Sequence, residues 1–263
     1  MEFWQIVVLA VIQGVTEFLP VSSSGHLVIA SALLGQDEAG WDVKEVNVCL
    51  HVGTLFSVFA VYWHRIWRLL GEDRRVIGCL IVATLPAVVV GLTIDRWFEE
   101  VLGNALLAGA MLCVTGGILL VGQRFSGGKR TYNEMSWQHS LLMGLSQAFA
   151  ILPGISRSGT TISTGMVLGM EPKSAATFSF LMALPAIGGA GLLEVLKLAD
   201  GEGSGTPLLW LATGMVVSFL VGLGALLWLI RMLERGRFQI FAWWCIPVGL
   251  AVVIWRLTIE LAA

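Results

Sequence analysis

Charge is what this 263-residue chain has least of: Asp, Glu, Lys and Arg make up 13% of it, against roughly 25% in an ordinary soluble domain. Hydrophobic residues make up 56%, and the mean hydropathy is +0.82. That balance excludes a soluble globular domain and predicts an integral membrane protein with several spans. The basic residues are scattered among loops and form no basic face, which excludes nucleic acid as a partner. Cysteine is scarce as well. Cys49, Cys79, Cys113 and Cys245 each sit in an apolar run, with no close pair and no metal-like spacing. They read as small packing residues, not as disulfides or a metal site. The start, Met1-Glu2-Phe3, lacks a positive n-region and no small-residue cleavage site follows, so the first apolar stretch is expected to stay in the mature protein.

Against this background two short polar stretches stand out. One is Glu17-Phe18-Leu19-Pro20-Val21-Ser22-Ser23-Ser24-Gly25-His26; the other is Pro153-Gly154-Ile155-Ser156-Arg157-Ser158-Gly159-Thr160-Thr161. Ionisable groups at membrane depth are functional-site candidates by default. Residues 3–19 are apolar with helical periodicity, Pro20 breaks the helix, and a short apolar helix is expected from Leu27 to Leu34, ending at Gly35. Neither piece supplies the ~20 apolar residues of a span. The reading is a helix–turn–helix that enters and leaves on one side; the alternative is one kinked span across 3–34. Spans are expected near 44–63, 76–94 and 103–122. After a Gly-rich, basic linker the pattern returns: an apolar stretch at 138–152, a break at Pro153-Gly154, a short helix at 160–169, and spans near 174–197, 207–230 and 239–259.

The halves match in detail. Gly14 and Glu17 have the spacing of Gly144 and Gln147, and Ser22-Ser23-Ser24-Gly25 aligns with Ser156-Arg157-Ser158-Gly159. Three spans per half is odd, so the second half should be inverted. Loop residues Arg65, Arg68, Arg74, Arg75, Arg124, Lys129, Arg130, Lys173, Arg231, Arg235 and Arg237 then share one face, and only Lys44, Arg96, Lys197 and Arg256 take the other. The basic face should be cytoplasmic, with both termini outside. The expected fold is an all-α polytopic membrane protein: one membrane domain over 1–263, with inverted repeats at about 3–122 and 138–260 joined by a linker at about 123–136. Each repeat is a re-entrant helix hairpin plus three transmembrane helices, making six spans and two re-entrant hairpins. Inverted repeats place sites near the midplane, at broken helices.

The second turn reads as an anion site. A helix N-terminus attracts anions, Arg157 adds a planar fork suited to phosphate, and Ser156, Ser158 and Thr161 add donors. The competing reading makes Ser156 or Ser158 a helix cap and Arg157 the partner of a carboxylate that ties the halves together. The first turn supplies Glu17, the hydroxyls of Ser22, Ser23 and Ser24, and His26. A serine needs a base to become a nucleophile, and Glu17 can orient His26, share the proton work or hold a divalent ion. Ser-x-x-His alone is a weak signal. His64 and His139 fall at span ends. His51 lies inside a span with Thr54, where it can line the cavity, and ranks below His26.

At these residues the chain resembles the bacterial undecaprenyl-diphosphate phosphatases, also called bacitracin-resistance proteins. The stretch from Gly14 to His26 and the stretch from Pro153 to Thr161 are similar to that family's two signature motifs, and Phe178-Ser179-Phe180-Leu181 with Pro185 adds to the likeness. The resemblance implies hydrolysis of the terminal phosphate of undecaprenyl diphosphate, a divalent cation (Mg2+ or Ca2+), and a site open to the outer leaflet of the bacterial inner membrane. Carried over by motif, Ser23 is the nucleophile, His26 and Glu17 are its acid–base and metal partners, and Arg157 is the phosphate clamp. Ser22, Ser156, Ser158 and Thr161 are supporting donors. Many family members carry a second Glu four residues before Glu17; here that position is Gln13, which can join Glu17 at a cation through its carbonyl but cannot neutralise charge. Direct attack by water is the mechanistic variant. The rival class is a transporter or flippase of a phosphorylated polyprenyl lipid, which needs the Arg clamp but no nucleophile beside a base. The expected partners are the polyprenyl diphosphate, membrane lipid and a second copy in a homodimer.

Overall fold

The computed structural model describes residues 2–33, 43–71, 73–97, 102–199 and 206–262. Among them there is no strand, and one isolated bridge joins Arg130 to Met170. Ten α-helices follow one another among the described residues: α1 (Phe3–Phe18), α2 (Ser23–Leu33), α3 (Val43–Leu70), α4 (Arg74–Trp97), α5 (Ala105–Arg124), α6 (Trp137–Phe149), α7 (Arg157–Val167), α8 (Pro172–Ala199), α9 (Leu208–Glu234) and α10 (Ala242–Ala262). Five of them, α3, α4, α5, α9 and α10, are long and apolar enough to cross a membrane. The chain is thus an all-α polytopic membrane protein. The sixth expected span falls in α8, a helix of 28 residues. The side chains of 192–199, Lys197 among them, lie outside the described residues, as does Gly35.

Both expected breaks are present. α1 stops at Phe18 and the chain turns through Leu19, Pro20 and Val21 before α2 begins. α6 stops at Phe149, and Gly154 takes a positive φ of 91° before α7 begins at Arg157. Both short helices start earlier than periodicity predicts, at Ser23 rather than Leu27 and at Arg157 rather than Thr160. Their hydroxyl-rich first turns are capped by side chains, which apolar periodicity does not register.

The helices pack through small residues. α1 lies against α9, and Gly14 meets Ser218, Val221 and Gly222 there; α6 lies against α4, and Gly144 meets the backbone of Ala83. α5 pairs with α10, and α3 with α8 and α9. In lipid, small residues let backbones approach and gain dispersion contacts. Large apolar side chains such as Val89, Leu92, Leu220, Trp243 and Ile254 stay exposed. In water such a surface would aggregate, whereas acyl chains accept it. The linker is more anchored than its composition suggests. Arg130 exchanges backbone hydrogen bonds with Gly169 and Glu171, Thr131 and Glu134 close a capping box, and Tyr132 and Met135 are buried.

Candidate active site

The two turns meet. Ser22 lies at a φ of 68°, a left-handed conformation rare for a residue with a side chain. Its Oγ accepts from the Gly25 N–H, capping α2, and from the Gly154 N–H of the other turn, both at 3.2 Å. A Cβ on Gly25 would stand 2.8 Å from the Gly154 backbone, closer than real contacts allow, so glycine is required for this approach. Ser158 Oγ donates to the Leu19 carbonyl at 3.3 Å, and Cys245 Sγ to the Pro20 carbonyl at 3.5 Å. From α5, Thr115 Oγ1 donates to the Gly154 carbonyl at 2.7 Å and accepts from the Ser156 N–H at 3.0 Å. Two helix N-termini are thereby fixed side by side, which concentrates positive potential in one place.

Glu17 is the centre of the charge. It is 6% exposed, and an unpaired carboxylate at that depth would be very costly. Arg157 Nη2 donates to Glu17 Oε1 at 2.7 Å, across 140 residues of sequence. Ser23 Oγ donates to Oε2 at 2.8 Å, Gln13 Nε2 donates to the same oxygen at 3.0 Å, and His51 Nε2 stands 3.5 Å from it. Glu17, Ser23, His51 and Arg157 face a cavity of about 230 Å3 whose lining also includes Ser22, Ser24, Ser156, Ser158, Ile151 and Ile187, whereas Gln13 is fully buried and not part of that lining. Among the groups around Glu17, Arg157 Nη1 and Gln13 Oε1 are buried without a partner. Arg157 thus keeps a free donor beside the cavity while its other amine holds Glu17.

The sequence-selected residues divide into three groups. Ser23, Glu17 and Arg157 come together at the cavity. Ser22, Ser156 and Ser158 line it, but their hydroxyls are engaged in building it: Ser156 Oγ caps α7 through the Gly159 N–H at 3.1 Å and lies 3.2 Å from Ser158 Oγ. Cap and carboxylate partner, the competing reading of this turn, are therefore both present. Thr161 and His26 lie elsewhere. Thr161 is fully buried behind α7, its Oγ1 2.6 Å from Ser179 Oγ. His26 Nδ1 donates to the Ser22 carbonyl at 2.8 Å, which leaves Nε2 to accept from Trp244 Nε1–H at 3.1 Å. The ring stacks on Trp244 and borders a separate apolar cleft of about 420 Å3. In its place, His51 from α3 approaches Glu17.

Sequence reasoning ranked His51 too low, gave Ser179 no role of its own, and missed Thr115 and Trp244. His51 carried a signal, a histidine and Thr54 one turn apart inside a span. The others join the site through contacts that no local pattern encodes. The motif-like Phe178-Ser179-Phe180 stretch now has a physical role, since Phe180 packs edge-on against Phe18 and stacks on Tyr62, and so holds α8 behind the first turn.

Among the described residues no cluster of three or more His, Cys, Asp or Glu can hold a metal ion. The side-chain oxygens at the cavity are the Glu17 carboxylate and the hydroxyls, with Ser23 bonded to that carboxylate; the unpartnered Oε1 of buried Gln13 lies one turn from Glu17. That set is too small to enclose Ca2+ by itself, which takes 6–8 oxygens. It suits a hard cation that keeps waters and shares phosphate oxygens with its substrate.

Known proteins match this chain along nearly its whole length. Residues 6–251 match the family model described as bacitracin resistance protein BacA. A protein of Rhodopirellula baltica named undecaprenyl-diphosphatase is 51% identical over 257 residues, covering 97% of this chain and 99% of that one. Proteins of the same name from Pelotomaculum thermopropionicum and Christiangramia forsetii are each 38% identical, over 97% of this chain and 97% and 98% of theirs. A match of this extent, over a chain whose two polar turns close on one carboxylate, places it in a family: the chain belongs to the bacitracin resistance protein BacA family.

Proposed function

We propose that this chain is an undecaprenyl-diphosphatase, an enzyme that removes the terminal phosphate of undecaprenyl diphosphate and so recycles the lipid carrier of cell-wall synthesis. The observation that carries the reading is the Ser23–Glu17–Arg157 set: a hydroxyl on a carboxylate, beside a guanidinium with a free donor. The diphosphate enters the cavity with its polyprenyl tail in lipid. Arg157 Nη1 takes a phosphoryl oxygen, and as the fork turns toward phosphate it loosens its hold on Glu17 Oε1. The carboxylate becomes a stronger base where Ser23 Oγ already donates to it. Glu17 takes the Ser23 proton, Oγ bonds to the terminal phosphorus, and the bridging oxygen leaves with undecaprenyl phosphate. Water then cleaves the phosphoserine, and phosphate departs. Phosphoryl transfer needs mainly position and charge stabilisation, which suits a site with so few titratable groups.

Ser22, Ser156 and Ser158 hold the two helix N-termini at the phosphate, with Thr161 bracing α7 from behind. His26 is a positioning residue: its Nδ1–H fixes the Ser22 carbonyl, while the Trp244 contact sets its ring. A divalent cation, Mg2+ or Ca2+, would be held by Glu17 with Gln13, and would supply the positive charge that offsets the phosphoryl oxygens.

The topology we infer is six spans and two re-entrant hairpins in two inverted repeats, 3–122 and 138–260, within one membrane domain. The exchange of partners, α1 on α9 and α6 on α4, supports it, because it is what a two-fold relation between the halves produces. Loop charge supports termini outside and a site open to the outer leaflet of the inner membrane. The test is phosphate release from a long prenyl diphosphate by the purified protein. Activity retained in Ser23→Ala overturns the nucleophile, and activity indifferent to chelator overturns the cation.

A further inference from the structure

A cavity of about 480 Å3 opens where the last turns of α3 meet the linker and the first turns of α8. The phosphatase reading makes no use of it. Tyr62 on its wall lies 11 positions along α3 from His51, so about 16 Å of helix separates it from the catalytic cavity. The lining is mixed: Arg65, Lys173, Asn133 and Ser174 bring donors, Glu171 brings an acid, and Val61 and Ile230 bring apolar wall. Lys173 Nζ already donates to Glu234 Oε1 at 2.6 Å. Arg65 is held differently. Its Nη1 donates to the Tyr132 hydroxyl at 3.4 Å, and its guanidinium carbon lies 5.8 Å from the centre of that buried ring. Among the described residues no carboxylate pairs with it. Ser174 is buried on the wall, and among the described residues its hydroxyl makes no hydrogen bond.

The other side of Arg65 is apolar. There His64, Arg65, Trp67 and Arg68 border a cleft, also of about 480 Å3. Trp67 is exposed and meets Trp63 edge-on at 5.3 Å. Tryptophan at a span end marks the boundary between head groups and acyl chains. Arg68, like Arg65, has no carboxylate partner among the described residues. Two guanidiniums without acids thus stand between a polar pocket and a Trp-lined apolar cleft, an arrangement that matches the two parts of a lipid.

We propose that this end of α3 is a binding site for an anionic phospholipid with a polyol head group, of the phosphatidylglycerol type. Its phosphodiester sits on the Arg65 fork, its head-group hydroxyls meet Asn133, Ser174 and Glu171, and an acyl chain lies along Trp67. Basic pockets between transmembrane helices hold anionic head groups, and paired guanidinium donors suit phosphate oxygens. Glu171 can accept from a hydroxyl but repels a second phosphate charge, which favours a phosphodiester over free phosphate. The site does not depend on the phosphatase reading. Its floor does reach the core, since Tyr62 stacks on Phe180, which packs edge-on against Phe18. A lipid seated between α3 and α8 therefore stabilises the folded state by mass action.

The experiment titrates the detergent-purified full chain with phosphatidylglycerol, phosphatidylcholine or inorganic phosphate, and reads bound lipid by native mass spectrometry together with the unfolding temperature. Wild type is expected to hold phosphatidylglycerol at least about tenfold more tightly than phosphatidylcholine and to unfold at a higher temperature with it, while inorganic phosphate at the same concentration does neither. Arg65→Gln should weaken phosphatidylglycerol binding by about tenfold, the worth of a charge-assisted hydrogen bond. Arg124→Gln, which removes an exposed arginine outside the cavity lining, should bind as wild type does. Equal binding of the two lipids, or an equal effect of inorganic phosphate, overturns the proposal. So does an Arg65→Gln protein that binds as wild type, or an Arg124→Gln protein that loses as much as Arg65→Gln. If Arg65→Gln does not fold, Asn133→Trp decides: it fills the cavity with no change of charge and should lose phosphatidylglycerol, and undiminished binding overturns the site.

Discussion

The two turns share a plan and differ at the residue that follows the cap. In each, a break in an apolar helix leads to a serine whose hydroxyl caps the next helix, Ser22 for α2 and Ser156 for α7. The residue after the cap is Ser23 in the first and Arg157 in the second, and both reach the same carboxylate. The scaffold is thus duplicated and the chemistry is divided: one turn carries the nucleophile, the other the cation. Their counterparts on the preceding helices differ as well. Glu17 is fully engaged, whereas Gln147, the matching residue of α6, is buried with neither amide atom paired. Only one half has an ionisable group to coordinate, so a single site forms between two turns instead of one site in each.

The comparison can be broken most severely at Ser23. Ser23→Ala should lower phosphate release by about four orders of magnitude, as loss of a nucleophile does elsewhere, while thermal unfolding in detergent stays near the parent value. At the equivalent position of the other turn, Arg157→Lys keeps the charge but loses the fork. It should lower kcat/KM by about a hundredfold, with KM for the diphosphate rising. Arg157→Ala should also cost about 3–5 kcal/mol of stability, because Glu17 is left buried without its cation.

Next comes the seam between the turns. Gly154→Ala places a methyl group against the Ala108 carbonyl and Met111 at a positive φ. It should destabilise the fold by about 1–3 kcal/mol, visible as a lower unfolding temperature, with a smaller loss of activity than at Ser23 or Arg157. Ser22→Ala leaves the Gly25 and Gly154 N–H groups unserved and should cost about 1–2 kcal/mol. The smallest effect belongs to Thr161→Val, which removes only the contact to Ser179 and local back-bonding. It should lower stability by about 1 kcal/mol and leave kcat/KM close to the parent. A large loss of phosphate affinity in Thr161→Val would show that this hydroxyl reaches the substrate after all.

Much of the fold was legible because lipid imposes a simple rule. Spans must be apolar and helical, so α3, α4, α5, α9 and α10 could be read from hydropathy, and Pro20 and Gly154 marked the breaks. Ser23, Glu17 and Arg157 were legible because polar groups are rare in such a background. His26 shows the limit: it is three residues from Ser23, yet the α2 turn points its ring to Trp244. His51 is 28 positions from Ser23 in sequence and reaches the same carboxylate oxygen. Sequence distance carries no information about which rotamer a packed helix allows.

By itself the sequence determined that this chain is a multi-helix membrane protein with two broken helices and a scarce set of charged groups, because hydropathy and helix-breaking residues act locally. Only the tertiary structure decided which of those groups meet. The pairing of Glu17 with Arg157, the hydrogen bond from Gly154 to Ser22, and the choice of His51 over His26 all depend on how α1, α3, α5 and α7 pack. Such contacts are fixed by close approach at Gly25 and Gly154 and by hydrogen bonds between residues far apart in the chain, and no local pattern records them.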